Sequence, residues 1–208
     1  MRVIAGRLRG RVLHAPRTAA TRPTAALVRE ALFALLGDVE QARVLDLFAG
    51  SGALGIEALS RGARQVLFVE RDPRACRALA ANLRSLGLAA PQARLHRGEA
   101  LAALRGARRH QEKYDLILID PPYAQGRRWE PHLRALLPEL LGAHGRVAIE
   151  SDRRRPLELA LPLAIERRYG QTLVRIHEAD THMAAAEEQA TGGGQATRIG
   201  PDRRRGLL

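Results

Sequence analysis

From Arg43 onward, apolar runs of strand length alternate with helical stretches, and nothing else in the chain limits its fold so tightly. Strands are predicted at Arg43–Phe48, Gln65–Val69, Ala93–His96, Tyr114–Ile119 and Gly145–Glu150. Helices are predicted between them, at Ala53–Ser60, Arg74–Leu86, Ala100–Gly106 and Trp129–Leu141. Continuous apolar strands separated by helices are what a parallel sheet covered on both faces requires. Two further strands, Ala164–Tyr169 and Thr172–His177, are separated only by Gly170-Gln171. That link is too short for a parallel crossover and predicts an antiparallel hairpin at the sheet edge. The expected fold is α/β: a doubly wound, mostly parallel, seven-stranded sheet with that hairpin and a small basic amino-terminal extension.

The extension is read from residues 1–36, which hold seven arginines against one acid, Glu30. Arg2–Ala5 and Arg11–His14 are predicted as two short strands around a turn at Gly6–Gly10. Thr24 is the expected N-cap of a helix over Ala25–Leu36, with Leu27, Val28, Ala31, Leu32 and Leu35 as its apolar stripe. At the other end, Thr191-Gly192-Gly193-Gly194 and Arg203-Arg204-Arg205 have the composition of a solvated, disordered tail. The expected division is a basic hairpin and helix over 1–36, a main domain over 37–183 and a tail over 184–208.

A chain of 208 residues suffices for one well-buried core. No apolar run reaches the length of a membrane span and Met1-Arg2-Val3-Ile4 lacks a signal-peptide core, so a cytoplasmic protein with no membrane partner is expected. Cys76 is the only cysteine, and no Cys/His cluster has metal-ligand spacing, so no metal is expected. The net charge of +12, carried by 34 basic residues of which only Lys113 is lysine, favours a polyphosphate partner.

Val44 to Gly55 carries the first strand into a helix through a glycine-rich turn. Gly50, Gly52 and Gly55 match the spacing of a dinucleotide fingerprint, and an acid, Glu70, ends the second strand. That fingerprint alone does not say which nucleoside is bound. Asp46, inside the end of the first strand, suits a cationic amino group better than a pyrophosphate. After the fourth strand comes Asp120-Pro121-Pro122-Tyr123, a stiff turn with free carbonyls, a carboxylate and an aromatic face. It fits a flat base carrying an exocyclic NH2 and has no evident role in hydride transfer. S-adenosylmethionine satisfies these parts together. Its ribose would meet Glu70, its ammonium group Asp46, its carboxylate the glycine turn and its adenine amino group Glu99. Phe48, Ala49, Arg71 and Ala100 complete the candidate cofactor contacts.

Asp-Leu-Phe-Ala-Gly-Ser-Gly with Asp-Pro-Pro-Tyr resembles the class I amino methyltransferases of nucleic acids. The opening Arg-Val-Ile-Ala-Gly-Arg-Leu-Arg-Gly, Thr21-Arg22-Pro23-Thr24, Val28 to Phe33 and Tyr169-Gly170-Gln171-Thr172 narrow the resemblance. Together they are similar to the bacterial 16S ribosomal RNA guanine-N2 methyltransferases, over residues 1 to about 178. Glu99 stands where that family more often has aspartate, and the tail has no counterpart in it.

The resemblance implies a Rossmann-like class I methyltransferase fold and methyl transfer from S-adenosylmethionine to a guanine N2 of 16S rRNA. The substrate is then free RNA or a small-subunit assembly particle, and the enzyme is expected to be a monomer. Asp120, Pro121, Pro122 and Tyr123 become the catalytic pocket, while Arg7, Arg9, Arg11, Arg22 and Thr24 become candidate RNA contacts. DNA adenine-N6 or protein-glutamine methylation is the alternative chemistry, because both use Asn/Asp-Pro-Pro-aromatic pockets. A non-catalytic RNA-binding module is the alternative of a different class.

Overall fold

The computed structural model describes the backbone of residues 1–15, 23–121 and 126–180, with side chains for all of these except 23–25, 126 and 127. In chain order the elements are α1 (Pro23–Leu36), β1 (Arg43–Asp46), α2 (Ala53–Ser60), β2 (Gln65–Glu70), α3 (Pro73–Ser85) and β3 (Ala93–Arg97). They continue as α4 (Ala100–Arg109), β4 (Tyr114–Ile119), α5 (Gly126–Leu140), β5 (Leu141–Asp152), β6 (Leu163–Tyr169) and β7 (Thr172–Glu178). One seven-stranded sheet results, in the order β3-β2-β1-β4-β5-β7-β6. β3, β2, β1, β4 and β5 run parallel, and β7 joins β5 and β6 antiparallel, as the sequence predicts. Gly170, with φ of +61°, opens the two-residue β6–β7 turn between the paired Tyr169 and Thr172. A positive φ at the first turn position is the type II′ geometry that matches strand twist.

The central strands alternate between two cores. Val44, Val66, Phe68, Leu116, Leu118 and Ala148 face α1, α2 and α3. Leu45, Val69, Ile117, Ile119, Val147 and Ile149 face α4 and α5. Burial on both faces is why these strands read as unbroken apolar runs. Asp72 caps α3 by accepting from Arg74 N and Ala75 N, both at 2.8 Å, with Pro73 at the first helical position. Among the described residues no helix is long and apolar enough to cross a membrane.

Three local expectations change. Helix α1 begins at Pro23, so Thr24 lies inside it and is not its N-cap. The buried face of α1 is Val28, Leu32, Phe33 and Leu36; Leu27 is exposed, and Arg29 is buried in its place. The amino-terminal hairpin pairs over a shorter stretch than predicted: around the antiparallel bridge Arg2 to Val12, Val3 N donates to Arg11 O, Gly10 N to Val3 O and Leu13 N to Met1 O. Other donors of the segment turn to α2. Ile4 N and Ala5 N donate to the Glu57 carboxylate at 2.8 and 3.0 Å, Arg7 N to Ser60 O and Leu8 N to Ser60 Oγ. Val3, Leu8 and Leu13 are buried in the same core as α1, α2 and α3.

Candidate active site

β1 and β4 are neighbours in the sheet, and the helices that follow them, α2 and α5, pack on opposite faces. Such a reversal opens a crevice at the carboxyl ends of the strands. The glycine turn is pinned across that crevice: Leu47 N donates to Leu118 O and Ala49 N to Val69 O, each at 3.0 Å. The three glycines then serve different ends. A Cβ on Gly52 would lie 2.3 Å from Leu79 Cδ1, and one on Gly55 2.3 Å from the Phe68 ring. Both are glycine so that α2 can pack closely on α3 and β2. Gly50 has a left-handed φ of +55° and nothing within 4 Å of its Cβ position, so its backbone faces open space that a ligand can enter.

Two carboxylates organise this turn. Asp46 is buried, and its Oδ2 accepts from Gly55 N at 2.9 Å. Burial pushes its pKa up to about 7, against the pull of that hydrogen bond and with a further push from Glu70. Glu70, half-buried, accepts from Gly50 N at 2.8 Å through Oε2 and from Arg71 N and Asp72 N at 2.7 Å through Oε1. It therefore joins the end of β2 to the glycine turn. Glu99, exposed at the start of α4, pairs with Arg71 at 3.2 Å, and Ala100 is buried behind it. Phe48 packs edge-on against Trp129, with ring centroids 5.2 Å apart.

Asp120 follows β4 directly, beside the end of β5, where Ile119 is in register with Ile149. It is half-buried, and Pro121 is buried. Desolvation raises the Asp120 pKa well above the ordinary carboxylate value, and the charges of Glu150 and Asp46 raise it further. Three carboxyl groups thus share the crevice at the ends of β1, β4 and β5. Pro122 and Tyr123 lie outside the described residues, as do Arg22 and the Thr24 side chain.

The arginines at 7, 9 and 11 are exposed along the amino-terminal segment. Arg7 Nε reaches Leu59 O at 3.4 Å and Arg11 donates to Ser85 O at 2.8 Å. Sequence reasoning passed over Glu150, which ends a predicted strand one register step from Asp120. It also passed over Asn82, a polar residue on the apolar side of α3 between Leu79 and Leu83. Its place on a buried face was the available signal.

The sheet order and the crevice define a Rossmann-like methyltransferase fold. More narrowly, the chain belongs to the family described as Conserved hypothetical protein 95, whose model matches residues 1–178. A Bacillus subtilis relative, "Putative rRNA methyltransferase YlbH", is 40% identical over 86% of this chain and 98% of its own. "Ribosomal RNA small subunit methyltransferase D" of Haemophilus influenzae is 40% identical over 59% of this chain and 64% of its own. Among solved structures, "Putative methyltransferase yhhF from Escherichia coli" superposes with a TM-score of 0.72 at 32% identity, covering 86% of this chain and 98% of that one.

Proposed function

We propose that this protein transfers the methyl group of S-adenosylmethionine to the N2 amine of a guanine in 16S rRNA. The observation that carries the reading is the meeting, in one crevice, of the open face of Gly50, the Glu70 carboxylate and the half-buried Asp120 carboxyl at the end of β4. The names of the relatives support ribosomal RNA as the substrate class.

S-adenosylmethionine would supply a sulfonium-bound methyl group for in-line displacement. The chain's own residues would hold and aim the reactants. Glu70 uses three of its roughly four acceptor positions on backbone N–H groups, so a ribose hydroxyl takes the fourth or displaces Gly50 N. Arg71 and Glu99 border the adenine side. Asp46 keeps the glycine turn in place through Gly55 N. Guanine N2 is a weak nucleophile because its lone pair is delocalised into the ring. Asp120 and the Pro121 carbonyl would accept hydrogen bonds from its two N–H groups. That turns the amine toward sp3 geometry. As the N–C bond forms and the sulfonium S–C bond breaks, the carboxylate stabilises the positive charge growing on nitrogen. That charge is discharged when the nitrogen loses one proton after transfer. Tyr123 would stack on the extruded base. Arg7, Arg9, Arg11, Arg22 and Thr24 would hold RNA outside the pocket.

Nucleoside mass spectrometry on 16S rRNA from a strain lacking the protein tests this reading. One N2-methylguanosine should disappear and return on complementation with the wild-type chain but not with Asp120→Ala. An unchanged nucleoside profile would overturn it.

A further inference from the structure

Asn82 is fully buried on α3, and its amide joins two segments far apart in sequence. Its Oδ1 accepts from His14 N, and its Nδ2 donates to His14 O and to Ser51 O, each at 2.9 Å. The orientation is dictated by these partners. A flipped amide would set its NH2 against the His14 N–H and its oxygen against two carbonyls. Ser51 sits between Gly50 and Gly52 in the glycine turn, so one side chain carries both that turn and the end of the amino-terminal segment.

The same segment also grips the far end of α2. Arg7 N donates to Ser60 O at 2.8 Å, Leu8 N to Ser60 Oγ at 2.9 Å, and Ser60 Oγ to Ala5 O. Gly6, at φ of +77°, passes so close that a Cβ there would lie 1.8 Å from Ser60 O. Residues 1–15 thus hold α2 at both ends, at Ser60 directly and at the glycine turn through Asn82. The helix between is about 12 Å long, at 1.5 Å per residue.

We infer that Asn82 is a positioning residue that couples cofactor affinity to the docking of the amino-terminal segment. The inference rests on assigning the glycine turn to S-adenosylmethionine, as above. When the segment is docked, the Ser51 carbonyl is satisfied and the turn is ordered in advance. When it is displaced, ligand binding must order the turn itself and weakens accordingly. Linkage makes the effect reciprocal: the bound ligand must hold the segment more firmly in place.

The test uses the full chain, calorimetry with S-adenosylmethionine, and amide hydrogen exchange read at Ile4, Ala5, Leu8 and His14. In the wild type, saturating ligand should slow exchange at these four amides. Gly6→Ala acts at the end of α2 remote from the turn, yet should weaken ligand affinity about fivefold or more. In an Asn82→Ala background the added Gly6→Ala change should alter affinity by less than twofold, a non-additivity that loss of stability alone does not produce. Ser60→Ala, which loosens Leu8 without forcing a clash, is the second variant should Gly6→Ala not fold. Wild-type protein that binds S-adenosylmethionine with unchanged exchange at the four amides would overturn the inference while leaving the proposed function standing. Failure of the wild type to bind would overturn both.

Discussion

Asp120 and Glu70 sit in one crevice but bear on different steps, and single substitutions should separate them. Asp120→Ala removes the acceptor for the amine and the charge facing the transition state. Methyl transfer should fall about a hundredfold or more, while S-adenosylmethionine affinity in calorimetry changes little. Activity within tenfold of wild type would sink the assigned role. Because the carboxylate form is the active one and its pKa is raised, kcat/KM should climb with pH along an acid limb above the ordinary carboxylate range. Glu70→Ala should instead weaken cofactor binding by roughly 1.5–3 kcal/mol, as expected for hydrogen bonds to a charged group. An unchanged dissociation constant would place the ribose elsewhere. Asp46 adds a stability signature. Its folded pKa is raised from 3.8 to about 7, so the folded state holds the extra proton and stability falls as pH rises through that interval. Asp46→Asn keeps an acceptor for Gly55 N and removes this loss, which is at most about 4 kcal/mol. The melting temperature of the variant, measured from pH 5 to pH 8, should fall less than that of the wild type.

At the scale of elements, α2 and the β6–β7 hairpin each carry a buried titratable group. Glu57, fully buried on α2, accepts from Ile4 N, Ala5 N and Arg61 Nε, with Arg29 Nε 3.8 Å away. Glu57→Gln leaves the buried Arg29 guanidinium without its counter-charge and should cost about 3 kcal/mol in a urea titration. A loss below about 1 kcal/mol would mean that the pairing adds little. On β7, His177 is buried with Nδ1 3.1 Å from Leu161 O. Burial, then the Arg175 charge, lowers its pKa. The folded state therefore keeps it neutral, and the stability it contributes is lost as pH falls below about 6.5. Asp46 works in the opposite direction over part of that range. The His177 effect is accordingly read as the difference between wild type and His177→Phe, which should widen as the solution is acidified.

Across the whole molecule, the net charge of +12 and the placement of its arginines set how RNA would be held. Arg9 is exposed on the amino-terminal segment, whose apolar side chains Val3, Leu8 and Leu13 belong to the core. Deleting residues 1–15 would therefore remove core contacts along with charge. The cleaner experiment is Arg9→Gln, which should leave the melting temperature unchanged and make the logarithmic salt dependence of RNA binding shallower by about one unit. An unaltered slope in the folded variant would take Arg9 off the RNA-facing surface.

The alternation of apolar strands and helices, the two-residue edge turn, the glycine turn after β1 and the carboxylates ending β1, β2 and β4 were all legible in the sequence. Each is local: the period of apolar residues reports burial, and glycine, proline and acids at strand ends report turns and ligand-facing positions. Packing alone decided how the glycines divide, with Gly52 and Gly55 making room for Leu79 and Phe68 while Gly50 faces open space. It also set where the amino-terminal hairpin stops: Met1 and Val3 pair with Leu13, Arg11 and Gly10, while Ile4, Ala5 and Leu8 donate to Glu57 and Ser60 on α2. Asn82 is the clearest case: its partners lie 68 and 31 residues away, and no local pattern records them. A buried polar group must find a partner wherever the fold brings one, so residue type foretold that such bonds would exist and only the tertiary structure chose where.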